Sequence, residues 1–310
     1  IKKCLYFLAA GSLLTGLLLI PVFYYLSIVR NSAEEWIGHI SFYLVLILAF
    51  FSFLLPWTYL MLGGVNPLSW LIHFITYTRT RYYLVGYWSC IVLLSIMIVV
   101  SKNWNNTQTT TVTRKYFHVL AIAVFLPGIM LESKLTHLAA SVALAAFIFI
   151  EYVRLGRIEP FGDLIHHSLQ VFLDEKDSGN VILTHVYLLF GCAIPIWLYP
   201  VYPERSSALA MYSGVLSLGV GDTLASLVGK KYGQNNWPGS NKTLEGTMAG
   251  LMAQFIFIGL LSRTGVVRVV NWVATALCVA ACSLLEAWTS QIDNLVLPPF
   301  LYALIVVACR

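Results

Sequence analysis

Long apolar runs joined by short polar segments constrain this chain more than anything else in it. Stretches such as 36–62 and 82–100 carry no Asp, Glu, Lys or Arg. Only 11% of the 310 residues are charged and 59% are hydrophobic, whereas soluble domains carry about 25% charge. In lipid every backbone N–H and C=O must be satisfied within the segment, so such runs become helices. A β-barrel needs alternating segments of about ten residues, and none is present. The expected fold is all-α: a polytopic transmembrane helical bundle of about ten spans. They fall near 4–29, 36–62, 82–100, 116–131, 135–153, 181–201, 206–229, 244–262, 269–289 and 294–309. Between 63 and 81, Gly63-Gly64-Val65-Asn66-Pro67 breaks a helix, and Arg79 and Arg81 resist deep burial.

The sequence opens on Ile1, so it is expected to begin inside a longer protein. Its first apolar run is too long for a signal-peptide core and reads as a span. The six cysteines form no C-x-x-C pair and read as small buried hydrophobes. The net charge of +5 comes from single basic residues at span ends. That pattern anchors a protein at headgroups and argues against nucleic acid. Two domains are expected: membrane spans over 1–110 and a catalytic membrane domain over 111–310. The second includes an interfacial amphipathic helix over 161–173, where Phe161, Leu164, Ile165, Leu169 and Phe172 recur at helical spacing.

Alternation of spans gives two faces. The face with the 230–243 loop also carries Glu34, Glu35, Glu151, Glu159, Asp163, Asp174, Glu175, Asp177, Asp222, Glu245, Glu286 and Asp293. That is twelve of the fourteen acids; only Glu132 and Glu204 fall opposite. Basic residues divide almost evenly, so the positive-inside rule decides little, and acids contribute little to topology. Solubility of the 154–180 loop accounts for part of the bias. A divalent-metal and nucleotide site on this face accounts for another part.

The densest chemistry lies where Asp222 precedes a glycine-rich, lysine-bearing loop. An acid inside an apolar span is a functional-site signal. Gly221, Ala225 and Gly229 form a small-residue strip, and Gly246 and Gly250 form another. Such strips let helices approach closely, either within the chain or in a homo-oligomer. Between them lie Lys230, Lys231, Tyr232, Gly233, Trp237, Pro238, Gly239, Lys242 and Thr243. Glycines let backbone N–H groups face phosphate oxygens, and lysines neutralise those oxygens. Thr243 is placed to cap the next helix, with Glu245 in its first turn. Glu286 and Asp293 reach the same face, and acids gain nothing from anchoring at an apolar boundary. Arg114, Arg154 and His118 read more simply as anchoring or helix-packing residues. No P-loop or protein-kinase motif is present.

At these residues the chain resembles the dolichol kinase family, within the wider group of CTP-dependent membrane lipid kinases. The resemblance runs through Val220-Gly221-Asp222-Thr223-Leu224-Ala225-Ser226, Trp237-Pro238-Gly239-Ser240-Asn241-Lys242-Thr243-Leu244-Glu245-Gly246-Thr247-Met248, Leu284-Leu285-Glu286-Ala287 and Gln291-Ile292-Asp293-Asn294-Leu295. Weaker similarity covers Arg114-Lys115-Tyr116-Phe117-His118 and Asp174-Glu175-Lys176-Asp177-Ser178-Gly179. Phytol and diacylglycerol kinases using CTP share the layout. Phosphatidate cytidylyltransferases share the Lys-Thr-x-Glu-Gly fragment but carry H-G-G and D-R-x-D patterns that are missing here. A transporter would need polar groups through the bilayer and a repeat pair.

The resemblance implies transfer of the γ-phosphate of CTP to dolichol or a related polyprenol, with Mg²⁺ or another divalent cation. It implies an endoplasmic reticulum membrane protein with its site on the cytosolic face, supplying the lipid carrier of protein glycosylation. Asp222, Lys242, Glu245 and Glu286 are then the candidate catalytic residues. Gly229, Lys230, Lys231, Tyr232, Gly233, Trp237, Pro238, Gly239, Lys242 and Thr243, within a CTP loop over 229–246, are the candidate nucleotide contacts. Asp222, Glu286 and Asp293 are the candidate metal ligands. The sequons at Asn105 and Asn241 would face the cytosol and stay unmodified.

Overall fold

The computed structural model describes residues 10–11, 14–21, 23–25, 35–104, 111–170, 182–199, 208–289 and 293–308. Among these residues the regular structure is helical, apart from one isolated antiparallel bridge between Asn236 and Thr243. Four helices are long and apolar enough to cross a membrane: Trp36–Met61, Arg79–Ile98, Phe117–Leu155 and Leu244–Arg263. The other apolar helices, 10–17 residues long, include Pro67–Thr76, Thr184–Leu198, Trp272–Trp288 and Asp293–Ala308. The chain divides into two compact units, Ile1–Thr110 with His137–Val186, and Thr111–Thr136 with Tyr187–Arg310.

In the first unit, α1 (Glu35–Ala49) passes through a π-helical turn (Phe50–Leu54) into α2 (Leu55–Met61). The Gly63–Pro67 break is followed by a short helix, α3 (Pro67–Thr76). Pro67 occupies its first turn, where no N–H is needed. Asn66 caps it by accepting from Leu68 N at 2.9 Å and Ser69 N at 3.3 Å. Then comes α4 (Arg79–Trp104). The expectation that Arg81 resists burial is corrected: it is 9% exposed. Its Nη1 donates to Phe74 O at 2.9 Å and its guanidinium lies 4.3 Å from the Phe74 ring centroid, so partners replace part of its water.

The expected spans 116–131 and 135–153 are two helices that meet at a kink at Glu132 (φ −151°, ψ 72°), together labelled α5 (Thr111–Leu155). Its second half packs in the first unit, where Leu19, Phe23, Phe42, Val153 and Ile158 make a core. Phe23 lies 4.6 Å from Phe42 and 4.3 Å from Tyr152 between ring centroids. The amphipathic helix α6 (Gly162–Gln170) turns Ile165 towards that core while Phe161 and Leu164 remain exposed. Residues 171–173 of the expected 161–173 segment lie outside the described residues. Glu151 and Arg154 form a buried bidentate pair at 2.6 and 2.7 Å, and Glu151 also accepts from Ile182 N.

The second unit takes in α7 (Thr184–Leu198) from Tyr187 on, a 3₁₀ turn (Ala208–Tyr212), a π-helical segment (Val215–Asp222) and α8 (Thr223–Tyr232). The expected single span 206–229 is thus three kinds of helix. The unit is completed by α9 (Leu244–Arg263), α10 (Trp272–Trp288) and α11 (Asp293–Ala308). The two small-residue strips meet each other. A Cβ on Gly250 would lie 2.8 Å from Gly221 O, and one on Gly246 would lie 2.6 Å from Ala225 O. These contacts let α9 lie directly against the π segment and α8. Cys192, Cys278 and Cys282 are buried as expected of small hydrophobes, whereas Cys90 is exposed.

Candidate active site

Asp222 ends the π-helical segment. π-helical turns leave the regular backbone register and occur often at functional sites. His118 of α5 reaches the same point: its Nε2 is 3.3 Å from Asp222 Oδ2. That nitrogen is also 3.2 Å from Asn294 Oδ1 in the first turn of α11. Three elements from distant parts of the sequence therefore converge on one carboxylate. Both members of the pair are largely shielded, with side chains 9% and 14% exposed. In such surroundings a charge interaction is screened less than at an open surface.

A second set of charges lies within electrostatic reach. Lys242 Nζ is 3.1 Å from Asp293 Oδ2 and 3.7 Å from Glu286 Oε1. Burial alone would lower the pKa of this ammonium; Glu286, Asp293 and Asp222 outweigh that effect and raise it. Asp293 Oδ1 is buried and has no hydrogen-bond partner among the described residues. A buried oxygen in that condition is an acceptor in want of a ligand or water.

The loop that delivers Lys242 is built from its own sequence. Trp237-Pro238-Gly239-Ser240 makes a tight turn, closed by Ser240 N to Trp237 O at 3.0 Å. Pro at its second position and a left-handed Gly239 (φ +74°) at its third are what a type II turn requires. Trp237 N donates to Lys242 O, and Leu244 N to Asn235 O, closing a small hairpin. The hairpin is fastened to the end of α10. Ser240 Oγ donates to Ala287 O at 2.7 Å and Trp288 Nε1 to Pro238 O at 3.2 Å. The Trp237 and Trp288 rings lie 4.6 Å apart, and Trp237 Nε1 donates to Thr247 Oγ1. Thr243 caps α9 by accepting from Gly246 N at 3.3 Å.

The expected residues thus fall into two groups. Asp222, Lys242, Glu286 and Asp293 come together. Glu245 instead takes part in the loop: it accepts from Asn235 N and Nδ2. Trp237, Pro238, Gly239 and Thr243 also serve the loop's shape, as does Gly233, where a Cβ would meet Gly229 O at 2.3 Å. Lys230, Lys231 and Tyr232 are exposed at the end of α8, with Lys231 Nζ 5.1 Å from the Tyr232 ring centroid. His118 and Asn294 are the additions. His118 has no ligand spacing in sequence, and its partners lie far along the chain. The Arg114 and Lys115 side chains and residues 174–179 lie outside the described residues.

Asp222, Glu286 and Asp293 offer the hard oxygen donors that Mg²⁺ prefers, and the orphaned Asp293 Oδ1 fits that chemistry. Among the described residues no three His, Cys, Asp or Glu side chains are grouped closely enough to hold a metal by themselves. Mg²⁺ is commonly held by one or two carboxylates together with substrate phosphates, so the donor set fits an ion that arrives with a nucleotide.

The sequence profile of the dolichol kinase family matches residues 4–287. The chain is 41% identical over 307 residues to a dolichol kinase of Mus musculus, covering 94% of this chain and 57% of that protein. It is 37% identical over 250 residues to a dolichol kinase of Arabidopsis thaliana, covering 77% and 43%. Against a dolichol kinase of Saccharomyces cerevisiae it is 33% identical over 243 residues, covering 77% and 44%. The chain therefore spans a little over half the length of its mammalian relative. No solved structure matches it.

Proposed function

Because the chain belongs to the dolichol kinase family, we propose that it carries the phosphoryl-transfer site of a CTP-dependent dolichol kinase. The reaction moves the γ-phosphate of CTP to the dolichol hydroxyl, giving dolichyl phosphate and CDP. The observation that carries this reading is Lys242, held between Glu286 and Asp293 by a loop fastened to α10, with Asp222 acting on the same ammonium.

Phosphoryl transfer depends mainly on positioning and on neutralising charge. Lys242 supplies a fixed positive charge for the β- and γ-phosphates. The backbone around Gly239, with Lys230 and Lys231 at the rim, supplies further phosphate and nucleotide contacts. Three carboxylates around one ammonium would repel a bare triphosphate, which favours delivery as a Mg²⁺ complex. When bound, that ion supplies charge neutralisation across the phosphates. Asp222, Glu286 and Asp293 are the side chains that would hold it. Asp222 also orients the acceptor hydroxyl and takes its proton as the new bond forms.

The membrane setting follows from the apolar helices. Four helices are long and apolar enough to cross a membrane, and the reading of about ten crossings rests on the apolar runs of the sequence. We place the site at the cytosolic face of the endoplasmic reticulum, where CTP is available to a long isoprenoid alcohol held in the bilayer. Asp222→Asn tests the core assignment. The variant is expected to insert normally and to transfer no phosphate to dolichol; full activity would sink the assignment.

A further inference from the structure

Resting on that reading, we propose that His118 is a positioning residue that holds Asp222 in its working orientation, with the proton on Nε2. His118 Nε2 faces two oxygens, Asp222 Oδ2 at 3.3 Å and Asn294 Oδ1 at 3.2 Å. An unprotonated nitrogen would present its lone pair to both and be repelled. A protonated one has an acceptor at each distance, so Nε2–H is the tautomer that fits both neighbours, whether the ring is neutral or charged.

This assignment separates His118 from the role that a histidine near a reacting alcohol is usually given. A nitrogen that already carries a proton and points at Asp222 is not placed to remove one from substrate through that atom. Its effect passes through the carboxylate instead. A short acidic side chain at the end of a π-helical segment has freedom to change rotamer, and the histidine removes it. Asn294 adds a second anchor, so the first turn of α11 sets the imidazole as the imidazole sets Asp222. The same turn begins with Asp293, which pairs with Lys242. Asp222 and the Lys242 pair are thereby tied to one helix start. Supporting groups of this kind orient the groups they touch, and their loss commonly costs about 10- to 100-fold in activity.

The test compares His118→Ala with His118→Gln in the purified protein in lipid nanodiscs. Glutamine places an amide N–H near the position of Nε2. His118→Ala is expected to lose about 10- to 100-fold in kcat, and His118→Gln to recover most of it. Equal losses in the two variants, or none in His118→Ala, would overturn the proposal. A second readout needs no turnover. In protein labelled with ¹⁵N at histidine, the signals lost in His118→Gln identify the residue. The proton is expected on Nε2, with that nitrogen's signal shifted in Asp222→Asn; a proton on Nδ1 alone would overturn the proposal. If the unaltered protein phosphorylates no lipid alcohol, the functional reading fails, and the nitrogen signal still decides the role of His118.

Discussion

Charge balance around Lys242 governs the site at the scale of single residues. Its ammonium is raised above the usual lysine pKa because Glu286, Asp293 and Asp222 outweigh its burial. A raised pKa means that this pairing stabilises the protein fully below the unfolded value of about 10.4 and is lost as pH climbs through the higher folded value. Thermal unfolding between about pH 6 and 9 should therefore show no step from Lys242. A step in that range that vanishes in Lys242→Arg would contradict it. Lys242→Met should leave two shielded carboxylates unneutralised. A loss of about 1–3 kcal/mol in stability is expected, together with loss of turnover. The grouping of Asp222, Lys242, Glu286 and Asp293 on one face was legible in the sequence, because acids at the ends of apolar spans and lysines in glycine-rich loops have few structural reasons to be there. His118 was not, because a lone histidine on a helix shows nothing of partners such as Asn294, 176 residues away.

Close helix contact is what the glycines secure at the scale of elements. A valine at Gly250 would press on Gly221 O, 2.8 Å from the added Cβ, whereas Gly259 on the same helix has nothing within 4 Å. Gly250→Val is expected to cost about 1–3 kcal/mol or more through overpacking, while Gly259→Val is tolerated. Melting of both variants in detergent checks the contrast, and equal losses would mean that the α9 contact is not tight. At Gly239 the backbone is left-handed, so Gly239→Ala should cost about 1–2 kcal/mol and loosen the turn beneath Lys242. The strips at 221–229 and 246–250 were readable from spacing, as was the break near Glu132. The π-helical segment before Asp222 was not, since its register depends on the packing of Gly219 and Gly221 against Ile122 and Gln254. Nor was the fastening of the loop to α10, which arises from pairs 47 and 50 residues apart.

At the scale of the whole molecule, composition alone identified a helical membrane protein, and four span-length helices bear that out. The number of crossings was harder to read, because helices of 10–17 residues fall short of the ~20 a full crossing takes. Sidedness supplies an independent check. Asn105 and Asn241 should carry no glycan, read as the absence of any mobility shift on glycosidase treatment; glycan at Asn105 would place the loop face in the lumen. The central claim is phosphoryl transfer from CTP to dolichol. The measurement that tests it most directly incubates the purified protein with dolichol, Mg²⁺ and either γ-labelled CTP or γ-labelled ATP, and follows label into lipid. Label from CTP, absent with ATP and absent in Asp222→Asn, is the predicted result. Label from ATP alone, or no transfer from CTP to dolichol, would contradict it.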